Sequence, residues 1–102
     1  MEEPEIVFSE KSIVVRYVIP ERYQDIEVLK KISKKASEFV QKLMEEKPHL
    51  EIELDFIRKV KGKVEGKHGF SFTEGEMSLL SSEINKLPWN IRVIFSDVYE
   101  YS

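Results

Sequence analysis

One pattern occurs twice in this chain of 102 residues, and it limits the folds that the chain can adopt. Each copy has a helix-like segment, a proline, and a strand-like segment whose apolar residues alternate and end in phenylalanine. The first copy contains Pro48, Leu50, Ile52, Leu54 and Phe56, and the second contains Pro88, Trp89, Ile91, Val93 and Phe95. An alternating period predicts strands with one buried face and one wet face. We therefore predict a pseudo-symmetric α+β fold with a seam between two similar halves.

The first half of the chain contains three more predicted elements. The β-branched residues of the run 13–19 predict an interior strand. A short apolar run, 6–8, predicts a strand that pairs back on it through a turn. Apolar residues at intervals of mostly three and four over about 21–46 predict a long amphipathic helix.

The second half continues with a short strand and a shorter helix. Phe70 and Phe72 predict the strand, because they alternate with a serine. Thr73 follows directly and forms a capping box with Glu76, which predicts the start of the helix. A strand over about 89–101 closes the chain.

The resulting order is β-α-β-β-α-β, the order of a ferredoxin-like sandwich. Such a fold is an antiparallel sheet with two helices on one face, built from two split βαβ halves. We place the halves at about 12–60 and 66–100 within a single domain, 1–102. A division of each half into β-β-α remains open, and it keeps the twofold repeat.

The composition is that of a water-soluble protein, with 41% apolar and 34% charged residues. There is no cysteine, which excludes disulfides, thiolate nucleophiles and thiolate metal sites. No segment has the run of about 18 apolar residues that a membrane span needs, and residues 1–5 are acidic where a signal peptide is basic. We therefore expect an intracellular protein that does not bind membranes.

Residue patterns typical of an enzyme are nearly absent. The two histidines, His49 and His68, are far apart in the sequence and form no ligand cluster. Glu51, Glu53 and Asp55 alternate along one strand face, where they could chelate a hard cation for a small nuclease or simply face water. We expect a protein without catalytic activity, metal or cofactor.

Basic residues are concentrated in a predicted hairpin, 58–68, although the net charge of the whole chain is −3. The basic members are Arg58, Lys59, Lys61, Lys63, Lys67 and His68. Such a cluster attracts phosphate groups, but lysines also keep an exposed hairpin in solution. Nucleic-acid or anion binding at these residues is our alternative prediction for function.

The segment His68-Gly69-Phe70-Ser71-Phe72 resembles the RNP1 core of the RNA-recognition motif family. The resemblance implies that Phe70 and Phe72 stack on exposed bases and that His68 takes the basic position of the motif. The alternative is that both phenylalanines are core residues that face the helices.

Over its whole length the chain resembles the small proteins of hyperthermophilic archaea and their filamentous viruses, such as the Acidianus filamentous viruses. It is rich in Lys and Glu, poor in Gln and Asn, and lacks cysteine. The resemblance implies a thermophilic host and, for a viral protein, the host cytoplasm as its location.

The closing strand carries the features that predict a function. Sheet edges are normally protected by charge, proline or bulges, but the run 91–95 has only Arg92. Ile94 is an edge position within this run, and Tyr99 and Tyr101 extend it as an amphipathic aromatic tail suited to interfaces. We therefore predict that these four residues help a non-enzymatic interaction module to bind a peptide or protein partner, or a second copy as a homodimer. Binding would occur at the seam or along a free sheet edge.

Overall fold

The computed structural model describes residues 4–20, 25–61 and 71–100. Within these ranges the protein is α+β, with four strands, two α-helices and one short 3-10 helix. In chain order the elements are β1 (Glu5–Phe8), β2 (Ser12–Pro20), α1 (Ile26–Glu46), β3 (Glu51–Lys61), α2 (Glu74–Ser81), the 3-10 helix (Ile84–Lys86) and β4 (Arg92–Glu100). The predicted α+β class is confirmed.

The sheet is mixed, and its strands lie side by side in chain order, β1-β2-β3-β4. β1 and β2 form an antiparallel hairpin, whereas β2 with β3 and β3 with β4 are parallel pairs. The prediction of an antiparallel sheet was wrong for these two pairs. Because α1 and α2 each connect two parallel neighbours, β3 belongs to both βαβ units.

The ferredoxin-like repeat is not confirmed, because the described residues lack a separate first strand for the second half. Residues 71–73 ahead of α2 are not in a strand, and Phe70 lies outside the described residues. β3 instead continues to Lys61, through residues that were predicted to begin the basic hairpin. The strand that pairs with β4 is β3.

Both helices cover one face of the sheet, and the core lies between them and the strands. α1 begins at Ile26 rather than near residue 21, because the Asp25 side chain accepts a hydrogen bond from the Glu27 amide at 2.8 Å and caps the helix. α2 begins with the predicted capping box. Alternate residues of β2 and β3 point into this core, namely Ile13, Val15, Tyr17, Ile19, Ile52, Leu54 and Phe56.

The opposite face of the sheet has no covering layer in the described part of the chain. It carries Val14, Val18 and Ile57, which are half-buried, and Val98, which is exposed. Parallel strands usually have both faces covered. We call this surface the open face, and the helix-covered one the covered face.

Candidate functional site

β4 is an edge strand of nine residues. Within the described ranges it pairs with β3 alone, in parallel and over its whole length. Backbone N–H and C=O groups on its other side therefore point away from the sheet. Because alternate residues face opposite sides, Arg92, Ile94, Ser96 and Val98 lie on the open face.

Phe95 holds β4 against the covered face. Its ring stacks on that of Phe56 in β3, with centroids 5.4 Å apart, and meets the ring of Phe72 in a T-shaped contact at 5.3 Å. Phe72 is buried and lies just ahead of α2. These aromatic contacts join the edge strand to its neighbour strand and to the start of a helix.

A second attachment of β4 is polar. The Asp97 carboxylate accepts one hydrogen bond from the Ser71 backbone amide, at 2.6 Å, and another from the Ser71 hydroxyl. Ser71 belongs to the segment that leads into α2. The two bonds therefore tie the edge strand to a segment 26 residues away in the sequence.

Arg58 of β3 lies at the centre of this polar network, and it is fully buried. Its guanidinium donates to both carboxylate oxygens of Glu76, at 2.7 and 3.3 Å, and to the Ser71 carbonyl at 3.0 Å. It also lies over the Phe72 ring, 4.5 Å from the centroid. Nε is the one atom of this guanidinium without a hydrogen-bond partner among the described residues. A two-point ion pair of this kind fixes α2 to the sheet.

The Glu76 carboxyl remains ionised because its surroundings lower its pKa. Burial acts to raise its pKa, but the Arg58 guanidinium and the Thr73 amide together lower that pKa by more. The Thr73 amide donates to the same carboxylate at 2.9 Å. The net pKa lies below its usual value, so Glu76 neutralises Arg58 at physiological pH. The network therefore acts as a brace at the carboxyl ends of β3 and β4.

On the open face, a row of side chains crosses the sheet from β1 to β4: Glu5, Arg16, Asp55 and Ile94. The Arg16 guanidinium lies 3.7 Å from Glu5 and 3.8 Å from Asp55, which is longer than a hydrogen bond. Nε of Arg16 and Oδ1 of Asp55 have no hydrogen-bond partner among the described residues, although Asp55 is buried. Burial, followed by the effect of Glu53, raises the pKa of Asp55 to about 6. The contact between Arg16 and Asp55 is therefore longer than the ion pair between Arg58 and Glu76 on the covered face.

The residues predicted to bind protein lie on both faces of β4. Arg92 is exposed on the open face, where its Nε is 3.9 Å from a carboxylate oxygen of Glu53. Ile94 is half-buried on the same face. Tyr99 lies on the side of the covered face and is half-buried, and Tyr101 is outside the described residues. The structure thus brings Arg92 and Ile94 together on one surface.

The basic residues predicted to bind nucleic acid do not form one exposed cluster in the described part of the chain. Arg58 faces the core and is bonded to Glu76, so it is not accessible to a phosphate group. Lys59 is exposed on the open face, and Lys61 is the last residue of β3. Lys63, Lys67 and His68 lie outside the described residues.

The RNP1-like segment is described in part. Phe72 is 3% exposed and packs in the core, so it does not present its ring to a base. This placement agrees with the alternative in which the phenylalanine faces the helices. His68, Gly69 and Phe70 lie outside the described residues.

The acidic residues of β3 differ in exposure: Glu51 is exposed, Glu53 half-buried and Asp55 buried. No group of three or more His, Cys, Asp or Glu side chains in the described ranges is placed to hold a metal ion. An open depression of about 760 Å³ lies at the amino ends of the parallel strands, beside Glu51, Glu53 and Arg92. Its lining mixes acidic, basic and apolar residues and so selects no single class of ligand.

Three of the residues that hold β4 in place were not predicted to do so from the sequence, namely Ser71, Glu76 and Asp97. A signal existed for Arg58, because it continues the buried alternation that runs through Phe56 and therefore had to face the core. A buried arginine needs an acidic partner. No local pattern, however, links Ser71 with Asp97.

No known protein family, curated protein sequence or solved structure shows a significant match to this chain. Among the described residues, no helix has the length and apolar character needed to cross a membrane. A function must therefore be inferred from the surfaces that the chain itself presents.

Proposed function

We propose that this protein is a non-enzymatic interaction module that binds an extended segment of a protein partner along the outer edge of β4, beside which the described residues place no further strand. The supporting observation is that this edge strand is nine residues long, pairs on one side within the described chain and contains no proline. A partner strand would form main-chain hydrogen bonds with the groups on its outer side.

The attachment of β4 favours such binding. Phe95 packs on two rings and Asp97 is bonded to Ser71, so the strand is ordered before a partner arrives. Preorganisation reduces the conformational entropy that is lost on association. A strand held in this way is a better template for pairing than a strand with free ends.

Side chains on the open face would select the partner. Ile94 is half-buried and Val98 is 43% exposed, which gives two apolar positions on either side of Ser96. Arg92 adds a positive charge at the start of the strand. We expect a partner strand with apolar residues at alternate positions and an acidic residue opposite Arg92.

Peptide selection followed by hydrogen exchange tests this proposal. Decapeptides from a random phage-displayed library are selected on the immobilised protein, and the tightest binder is synthesised. We expect this peptide to slow amide exchange in residues 92–100 by roughly tenfold or more, while exchange in β1 is unchanged. The matched readout on β1 separates strand addition from a general gain in stability.

Two results would contradict the proposal. Protection confined to another surface, such as the depression beside Glu51, would place peptide binding away from the edge. A library that yields no binding peptide, together with a chain that does not associate with itself, would refute the interaction function altogether.

A second candidate function is nucleic-acid binding by the basic residues that follow Arg58. It is supported by Lys59, which is exposed near the carboxyl end of β3 in a basic stretch of sequence. Changing Lys59, Lys61, Lys63 and Lys67 to Gln should then weaken binding and lower its salt dependence by about 0.7 to 0.9 log unit per lost phosphate contact. If the unmodified protein shifts neither DNA nor RNA at low salt, this candidate fails.

A further inference from the structure

The sequence of β4 is complementary to its own reverse. The strand runs from Arg92 to Glu100, and its middle residue is Ser96. Positions at equal distances from Ser96 match, since Arg92 and Glu100 have opposite charges while Ile94 and Val98 are both apolar. A second β4 laid antiparallel beside the first would therefore place unlike charges and like apolar residues opposite each other.

Other alignments on the same face lack this match. Centring the pair on Phe95 places Arg92 opposite Val98, and centring it on Asp97 places Ile94 opposite Glu100, so in both cases a charged residue faces an apolar one. Centring on Ile94 or on Val98 leaves about half of each strand without a partner strand. Only the alignment centred on Ser96 pairs all nine residues of both strands. Strand length and charge thus favour the same register.

The covered side of β4 accepts this alignment as well. Val93 falls opposite Tyr99 of the copy, and β-branched and aromatic residues pair well across strands. Phe95 falls opposite Asp97, whose carboxylate already accepts two hydrogen bonds from Ser71. No like charges meet on this side.

We propose that the partner at the β4 edge is a second copy of this chain, joined by antiparallel pairing of β4 with β4 about Ser96. This inference rests on the proposed edge-binding function and names its partner. The two-fold axis is then normal to the sheet, so the helices of both copies lie on the same side. This register places Arg92 opposite Glu100 at each end of the joined strands, and their opposite charges favour it.

Charge reversal at the ends of β4 tests the proposal by sedimentation equilibrium. The unmodified chain is expected to dimerise. Arg92→Glu brings two glutamates together at each end, and Glu100→Arg brings two arginines together. Each variant alone should therefore dimerise roughly tenfold more weakly, or worse, and the difference should shrink in high salt.

Mixing the two variants gives the decisive readout. In a mixed dimer every Glu again faces an Arg, so an equimolar mixture of Arg92→Glu and Glu100→Arg should recover the association of the unmodified chain. The double variant R92E/E100R should recover it too. A loss of folding cannot produce this recovery, and urea titration of each variant provides the stability control.

Two outcomes would overturn the inference. If the chain stays monomeric up to its solubility limit, a second copy is not the partner. The edge-binding function would then be tested separately, by whether the selected peptide slows amide exchange in residues 92–100. A dimer that is equally strong in all variants, or that is not recovered on mixing, would place the contact between copies elsewhere.

Discussion

The two edges of the sheet differ in length, pairing and attachment. β1 has four residues, pairs antiparallel with β2 and follows Pro4, whereas β4 has nine residues and pairs in parallel with β3. Phe8 of β1 is 58% exposed, with the Lys47 ammonium 5.1 Å from its ring centroid. Phe95 of β4 instead packs on two aromatic rings of the covered face.

Under the proposed function, this difference would protect the β1 edge and leave the β4 edge for binding. A short edge strand beside a proline offers few backbone groups to a partner, which is a common protection of sheet edges. A long strand held by a buried network offers a continuous and ordered row of backbone N–H and C=O groups. Side-chain exposure alone does not separate the two edges, since Val7 of β1 is 45% exposed and Val98 of β4 is 43% exposed.

The largest effect is expected where the network behind β4 is broken. Arg58→Ala leaves the Glu76 carboxylate without its partner and should lower the free energy of unfolding by about 3 to 5 kcal/mol. Arg16→Ala is the matched control near β1, because Arg16 is partly exposed and its pairs with Glu5 and Asp55 are long. It should lower the free energy of unfolding by about 1 kcal/mol or less in the same urea titration. Equal losses would mean that both edges are attached with similar strength.

A smaller contrast is expected between two phenylalanines on the two edges. Phe95→Ala removes a half-buried ring and its two aromatic contacts, so we expect a loss of about 2 to 3 kcal/mol. Phe8→Ala removes a ring that is mostly exposed and should cost less than about 1 kcal/mol. Thermal unfolding of both variants measures the contrast, and a larger loss for Phe8→Ala would reverse the assignment of the firmly held edge.

The smallest of these effects on the free energy of unfolding depends on pH. It arises at Asp55, in the row of side chains that crosses the open face from β1 to β4. The pKa of Asp55 is about 6 in the folded protein, above its ordinary value of 3.8. The folded state therefore binds more protons between these values, and stability falls as the pH rises through this window. Asp55→Asn should remove this fall, so the variant should gain about 1 to 2 kcal/mol over the unmodified protein between pH 4 and pH 7. If the free energy of unfolding of the two proteins depends on pH in the same way, burial does not raise the pKa of Asp55.

Much of the fold could be predicted because its signals are local. The alternation of 13–19 appears as β2, and the spacing of apolar residues appears as α1. The capping box of Thr73 and Glu76 is formed as predicted. Each of these patterns lies within one element, where neighbouring residues determine the structure.

The parallel pairing could not be predicted in the same way. Alternation indicates that a strand has one open face, and open faces usually belong to antiparallel sheets. Here both helices cover the same face, so parallel strands carry a pattern that is typical of antiparallel ones. The residues that brace β4 were equally hidden, because Ser71 and Asp97 meet only through the tertiary fold. Arg92 and Ile94 were predicted to lie on a sheet edge, and β4 is an edge strand of the described sheet.

The pair of variants Val98→Lys and Val7→Lys tests most directly whether β4 is the binding edge. The two valines lie on the open face, on opposite edges and with nearly equal exposure, and a lysine on an edge strand opposes the addition of another strand. Neither change should alter stability by more than about 0.5 kcal/mol.

The measurement is the affinity of each variant for the selected decapeptide, with self-association measured in parallel by sedimentation equilibrium. We expect Val98→Lys to weaken both by roughly tenfold or more, which is about 1.4 kcal/mol, and Val7→Lys to change neither. Equal effects of the two variants, or an effect of Val7→Lys alone, would contradict the assignment of β4 as the edge that binds.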